Sequence, residues 1–432
     1  MFSVIAIIIT LALVMFLAFK KVNIVVVSIL AAIVLAILDG QNVLDALTTT
    51  FMTGAANYVK NFFLLFFISA LFGKVMEKTG AAASIAKWLA NLLGEKYAIL
   101  GVLFAGMILC YGGISALVIA FTMYPLALAL FQRANLPRRL IPGAIAAGCF
   151  TFAAAALPGT PQTINVIPTG YLGTTVSAAP VLGIICGVIG IGLTCIYMYW
   201  EGKRARAKGE VFEADPKTLE TLRMADAMGE GVNPIIALIP IVVIIVLLVF
   251  VKLNVLLSML IGTVVCGVLL YKNVKDIPGM LESAVTSGMG AAVTTGCIVG
   301  YGAVVSASHG YAVLSEALTN MNASPLLSFG LATTVLAGAA GSGTGGLGIT
   351  MTSMAPQYLQ MGLSPEVLHR VGTLSAIGLD SLPHNGAVVV LLTLCGMTHK
   401  DSYKQIFVTT VVLTLIVAAI AIILGTIMYP IG

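Results

Sequence analysis

Ala156-Leu157-Pro158-Gly159-Thr160-Pro161-Gln162-Thr163-Ile164-Asn165 interrupts a run of alanine, isoleucine and glycine, with Pro168 just beyond it. A second segment of the same kind, Gly378-Leu379-Asp380-Ser381-Leu382-Pro383-His384-Asn385-Gly386, lies in the other half of the chain. Each packs helix breakers and polar side chains into apolar surroundings. Backbone groups left unpaired in hydrocarbon are tolerated only where they line a cavity or meet a ligand. Each segment is therefore read as ending one half-helix and starting another, with free amide groups whose dipole favours an anion.

The composition establishes that the surroundings are hydrocarbon. Of 432 residues, 59% are apolar and 9% charged, and the mean hydropathy is +1.07. A soluble domain carries about 25% charged residues. Thirteen of the 39 Asp, Glu, Lys and Arg residues fall within 201–230, so the rest are too sparse to coat a water-facing surface. The reading is an all-α polytopic protein, multi-pass in the inner (cytoplasmic) membrane, with the lipid bilayer as its partner. The net charge of +5 does not point to nucleic acid, because cytoplasmic loops of membrane proteins collect Lys and Arg. Seven cysteines without a Cys-x-x-Cys pair read as small buried hydrophobes, not as a disulfide or metal framework. The start, Met1-Phe2-Ser3, has no basic region ahead of its apolar run and reads as a retained first helix.

Apolar runs long enough to cross a bilayer occupy 4–19, 22–38, 61–76, 140–157, 179–199, 234–251, 254–271, 287–305 and 405–429. Stretches 97–131 and 326–361 are apolar but broken by glycine clusters, and each is either a re-entrant hairpin or two helices. Lys203, Arg204, Arg206 and Lys208 form the strongest basic cluster and mark the cytoplasmic side. Counting spans from there puts Lys20-Lys21, Arg133, Arg138, Arg139, Lys272 and Lys275 inside, and Lys252 and Arg370 outside. The N-terminus falls on the outer face.

The polar stretch 201–232 reads as a solvated cytoplasmic linker between repeats at 1–200 and 233–432. At a shift of about 230 residues, Leu71-Phe72-Gly73 through Thr79-Gly80 and Trp88-Leu89 parallels Gly300-Tyr301-Gly302 through His309-Gly310 and Leu318. Tyr111-Gly112-Gly113-Ile114-Ser115 parallels Gly341-Ser342-Gly343-Thr344-Gly345, and Pro125 parallels Pro356. Leu157-Pro158-Gly159-Thr160 parallels Leu382-Pro383-His384-Asn385. With an odd number of crossings each, the halves are inverted, and inverted repeats with helices broken at matching places are a signature of secondary transporters.

The substrate residues follow from these breaks and glycine turns: Gly113, Ser115, Thr160, Gln162, Thr163, Asn165, Ser342, Gly343, Thr344, His384 and Asn385. No Lys or Arg lies in the motifs, so helix N-termini and hydroxyl and amide groups would hold a small organic anion, one with hydroxyls and without phosphate. Asp380 is the one acid in the breaks and the candidate proton site, with His384 four residues on as partner or substrate donor. Its bland alternative is a cap on a half-helix starting near Ser381. Sodium held by carbonyl and hydroxyl oxygens is the alternative coupling ion, and no organic cofactor or metal is expected. Val299-Gly300-Tyr301-Gly302 imitates a potassium filter but occurs once. Gly341–Gly346 lacks the Lys-Ser/Thr of a phosphate loop, and neither Gly-x-Ser-Gly nor His-Glu-x-x-His supports an enzyme. His309 reads as structural at the outer interface, and Ala81–Leu93 as an interfacial helix at the inner face.

The run Leu157-Pro158-Gly159-Thr160-Pro161-Gln162-Thr163-Ile164-Asn165-Val166-Ile167-Pro168-Thr169 resembles the gluconate permease family, within the ion-transporter superfamily of organic-acid carriers. That resemblance implies proton-coupled uptake of a small hydroxy-carboxylate such as gluconate or a hydroxybutyrate. It also implies a scaffold, a mobile transport domain with two hairpins, a homodimer and elevator-like movement. The small, weakly polar motif leans towards a short monocarboxylate such as 3-hydroxybutyrate. The rival readings are a sodium-coupled di- or tricarboxylate carrier and a cation/proton antiporter.

Overall fold

The computed structural model of the chain describes residues 2–20, 22–227, 232–274, 276–311, 313 and 324–431. Of the residues quoted above, Met1, Lys21, Lys275 and Leu318 lie outside these, as do positions 228–231 of the linker. All regular elements among the described residues are helices. The first repeat opens with α1 (Phe2–Phe19), α2 (Ile24–Asp39) and the long α3 (Val43–Lys78). Next come α4 (Ala81–Leu93), α5 (Ala98–Tyr111) and α6 (Ala116–Arg133), then α7 (Ile141–Cys149) and the single turn α8 (Phe152–Ala155). A non-helical stretch over 156–162 precedes α9 (Thr163–Leu172), and α10 (Pro180–Ala207) closes the repeat.

After α11 (Pro216–Ala227), the second repeat uses the same order: α12 (Pro234–Val249), α13 (Val255–Leu269) and α14 (Ile277–Ser306). It continues with α15 (Pro325–Ala340), α16 (Gly343–Ser353), α17 (Ala355–Gln360) and α18 (Pro365–Ala376). A non-helical stretch over 377–385 leads to α19 (Gly386–Leu394) and α20 (His399–Met428). Thus α3 matches α14, α5 matches α15, α7 matches α18, α9 matches α19 and α10 matches α20. Spans expected at 61–76 and 287–305 are parts of longer helices, and the one expected over 140–157 stops at Cys149.

Both glycine-broken stretches are helix pairs packed across a short turn, and the second arm of the first, α6, is itself long and apolar enough to cross a membrane. Helix α5 has 14 residues, or about 21 Å at 1.5 Å per residue, against a hydrocarbon thickness of about 30 Å. At its turn Gly112–Ile114 are buried, and at the turn between α15 and α16 Gly343 is buried. Gly341 adopts a φ of 57° at that second turn, and a Cβ on Gly346 would collide with the Ala337 backbone on the facing arm. Glycine is thus required for the arms to close. Small residues serve the same end between α3 and α14, where a Cβ on Gly300 would come within 2.8 Å of Phe51 O. Helix α4 meets the following segment at 107°, and Ala81–Ala86 and Leu89 are buried against the rest of the fold.

The potassium-filter imitation dissolves, because Gly300–Gly302 is helical and Tyr301 Oη lies 2.9 Å from Thr10 Oγ1. His309 Nδ1 sits 3.2 Å from the buried Asp39 carboxylate and ties α14 to the end of α2. Arg370 is not an outer loop charge, since it is fully buried in α18.

The linker is not merely a solvated connection. Its first residues continue α10, with Glu201, Gly202 and Ala205 buried. Beyond Lys208 it docks on the turn after α6: Arg139 Nε and Nη2 donate to the two Glu210 carboxylate oxygens at 2.7 and 2.9 Å. Arg138 Nη2 donates to Asp215 Oδ2 at 3.1 Å. The Thr218 amide and hydroxyl, with Arg138, hold the Asp215 carboxyl down at about 2, and Arg139 lowers that of Glu210. Both carboxylates have folded pKa values below their unfolded ones, so this docking is complete above the ordinary carboxylate range. It is lost as pH falls through the lowered values, near 2 for Asp215. Amide exchange over 208–220 is expected to rise ~2–5-fold in Arg139→Gln at neutral pH, the scale of a partly exposed ion pair. Unchanged exchange would mean that the two contacts hold nothing.

Candidate functional site

The breaks and the hairpin tips meet around one cavity of about 640 Å³, within the range of small-molecule sites. Ser115 and Ala116 come from the first hairpin, and Gln162 and Thr163 from the first break. The second repeat supplies Gly341–Thr344 from its hairpin, and Asp380, Ser381 and His384–Ala387 from its break. Thr294 and Thr295 of α14 face them. No Lys or Arg is among the lining residues.

Four helices therefore begin at the cavity wall: α6, α9, α16 and α19. Each N-terminus acts as roughly half a positive charge. At α6 and α9 the residues in the cap position, Ser115 and Gln162, make no side-chain capping bond. Ser342 Oγ accepts from the Gly345 amide at 3.2 Å, and Asn385 Oδ1 accepts from the Val388 amide at 2.9 Å.

Gln162 and Asn385 each stand just before the helix that follows their break and do the same work, so the structure pairs Asn385 with Gln162 and not with Thr160 as the sequence parallel has it. The Gln162 amide donates to Cys110 O and Ile114 O at 2.6 and 2.9 Å, tying the break to the tip of the first hairpin. The Asn385 amide donates to Gly341 O at 3.0 Å and to Asp380 O at 2.8 Å, tying the second break to its hairpin. His384 Nε2 lies 3.0 Å from Gly338 O in the same hairpin. Both breaks are thus held in register with the tips they face.

Asp380 sits in the non-helical stretch, so it does not share a helical face with His384. Nor does it cap a helix at Ser381, because α19 starts at Gly386 with Asn385 as its cap. One carboxylate oxygen accepts from Ser381 Oγ at 2.8 Å. The other lies against Gly343, the first residue of α16, 2.8 Å from where a Cβ on that glycine would stand. The one acid in the cavity wall occupies a helix N-terminus.

Nine of the expected residues line the cavity: Ser115, Gln162, Thr163, Ser342, Gly343, Thr344, Asp380, His384 and Asn385. Three do not. Gly113, with φ of 92°, packs on Pro161 and Met259. Thr160 and Asn165 are fully buried behind the wall, where the Asn165 amide donates to Thr160 O at 2.9 Å and Val176 O at 2.8 Å. Spacing alone places them beside Gln162 but cannot say which way they turn.

Behind Asn165 lies the group that sequence reasoning missed. Arg370 donates from Nη1 to Ala155 O at 2.7 Å and to Asn165 Oδ1 at 3.0 Å, and from Nη2 to Ala178 O at 2.8 Å. Its neighbour His369 lies 3.1 Å from Asn165 Oδ1 and 2.7 Å from Thr174 Oγ1. Helix α18 of the second repeat thereby closes the carbonyl end of α8 in the first. The available signal was the apolar set Val367, Leu368, Val371 and Leu374, at helical spacing after Ser364-Pro365.

Residues 14–285 match the family described as a citrate transporter. The uncharacterized transporter YxjC of Bacillus subtilis is 35% identical over 463 residues, which cover 97% of this chain and 98% of that protein. An uncharacterized transporter of Haemophilus influenzae is 30% identical over 193 residues, 44% of each chain. Among solved structures, the YdaH transporter of Alcanivorax borkumensis, described as having an unusual topology, matches with a TM-score of 0.60 at 14% identity over 100% of both chains. That likeness is one of fold. Together these findings make the chain a membrane transporter and not an enzyme, and the matching family is named for citrate, not gluconate.

Proposed function

The chain belongs to the citrate transporter family, and we propose that it takes up a small hydroxy-carboxylate together with a proton. The observation that carries this reading is the convergence of four helix N-termini on one cavity that holds a single carboxylate, Asp380. Four N-termini amount to about two positive charges, which suits one or two substrate carboxylates. Ser115, Thr163, Ser342 and Thr344 offer hydroxyls for the substrate's own hydroxyl groups.

The place of Asp380 supplies the coupling. While ionised, its carboxylate sits against Gly343 and places a negative charge at the N-terminus of α16. Protonation removes that negative charge and frees the helix end for a carboxylate of the substrate. Proton and anion then strengthen each other's binding by the same factor, as linkage requires. The cavity reaches Val22 and Ile24 beside the basic turn at Lys20, and Val389 and Val390 along α19, which supports a state open to the cytoplasm. Elevator-like movement of the hairpin-bearing part, a homodimer and an inner-membrane location complete the reading. A second reading, a sodium-coupled carrier of a di- or tricarboxylate, is favoured by the family's citrate name.

Binding to the purified protein distinguishes the substrate class. Calorimetric titration with 3-hydroxybutyrate, gluconate and citrate is expected to show binding of at least one, tighter by up to tenfold per pH unit lost above the Asp380 midpoint. A neutral polyol of the same size should not bind. Equal binding of the polyol, or carboxylate binding that ignores pH while requiring sodium, would sink the proton-coupled reading.

A further inference from the structure

At the basic end of the molecule, Lys96, Lys203 and Arg206 converge on one cleft with Tyr97 and Tyr199. The cations come from two segments more than a hundred residues apart, the start of α5 and the end of α10. Gly202 allows this approach, because a Cβ there would lie 2.5 Å from Ile99 Cδ1. No carboxylate lines the cleft. Among the described residues, the ion pairs at this end of the molecule use Lys74, Arg138, Arg139 and Arg204 instead. Three exposed like charges around one cleft repel one another until an anion joins them.

The surroundings are those of a membrane interface. Tyr97 and Tyr199 stack with centroids 5.9 Å apart, and the Lys96 and Lys203 ammonium groups lie 5.3 and 4.7 Å from the Tyr97 and Tyr199 rings. Aromatic rings at headgroup level are typical of this depth. Val188, Ile196, Tyr199, Lys203 and Arg206 follow helical spacing, so they form one stripe of α10 that changes from apolar to basic. Val188 and Ile196 are exposed. The stripe thus offers an acyl chain a bed directly above the cations.

We propose that this cleft binds the phosphate headgroup of an anionic phospholipid of the cytoplasmic leaflet. The general tendency of membrane proteins to collect cations on this side explains basic loops, but not their convergence on a shared aromatic cleft. Lys272, beside Tyr271 at the end of α13, is a cation–aromatic pair outside the cleft and serves as the control.

The test is native mass spectrometry of the full chain in detergent, titrated with phosphatidylglycerol, phosphatidylcholine or glycerol phosphate. Lys96→Gln, Lys203→Gln and Arg206→Gln are each expected to weaken phosphatidylglycerol binding about fivefold, and all three together on the order of 100-fold. Lys203→Arg should retain it, Lys272→Gln should leave it unchanged, and phosphatidylcholine should not compete. Equal loss with Lys272→Gln would reduce the effect to diffuse charge and overturn the proposal. So would undiminished binding in the triple variant, or glycerol phosphate binding as tightly as the lipid, which would assign the cleft to a soluble phosphate.

Discussion

Asp380→Asn is expected to leave a folded protein that binds and exchanges its substrate but no longer accumulates it against a gradient. Asn is close to the neutral acid in shape and charge, so it leaves the N-terminus of α16 open permanently. A carrier moving one proton per substrate, with membrane potential clamped, accumulates substrate about tenfold for each unit of pH gradient. The variant should equilibrate and stop at a ratio near one. The contrast between counterflow, which survives, and accumulation, which fails, separates a coupling role from a structural one. Accumulation by Asp380→Asn at the wild-type ratio would remove Asp380 from the proton path.

Arg370→Met is expected to fail at an earlier stage, in folding. The guanidinium meets Ala155 O, Ala178 O and Asn165 Oδ1 in a fully buried place. A thioether offers none of these bonds; Ala155 O keeps Thr373 Oγ1 and Asn165 Oδ1 keeps His369, while Ala178 O is left unpaired at a cost of about 1–3 kcal/mol. Together with the lost bonds to a charged donor, each worth about 1.5–3 kcal/mol, this is a sizeable part of a typical 5–15 kcal/mol of stability, so a fall of roughly 3–10 °C in the thermal midpoint is expected. Lysine keeps the charge but lacks the fork that reaches Ala155 and Ala178 together, and Arg370→Lys should fall between the two. Size-exclusion chromatography of heated, detergent-solubilised protein reads the midpoint directly. A stable Arg370→Met with altered transport would make the residue part of the transport path and not a clasp between repeats.

These two residues show what a pattern of residue types reveals and what it hides. That Asp380 lines a cavity was legible because proline, glycine and an acid inside hydrocarbon have few structural uses, and a second break in the other half pointed to the same place. The hairpins were legible only as two alternatives, since the glycine cluster at Gly341–Gly346 marks a turn without saying how deep it lies. Arg370 was misplaced because His369-Arg370 lowers the hydropathy of α18 to that of a loop, while the carbonyls that satisfy it belong to residues about 200 positions earlier. Thr160 and Asn165 were credited to the cavity because they flank Gln162, yet α9 begins at Thr163 and turns Asn165 inward towards Arg370. The linker ion pairs join residues some 70 positions apart and carry no local signal.

The central claim is that a carboxylate anion and a proton cross together. It is tested most directly by uptake of labelled 3-hydroxybutyrate, gluconate and citrate into proteoliposomes, under an imposed pH gradient without sodium and then under a sodium gradient at equal pH. The account predicts that at least one of these acids accumulates about tenfold per unit of pH gradient, with no sodium requirement and no accumulation in Asp380→Asn. Uptake driven by sodium alone, unchanged in Asp380→Asn, would contradict it.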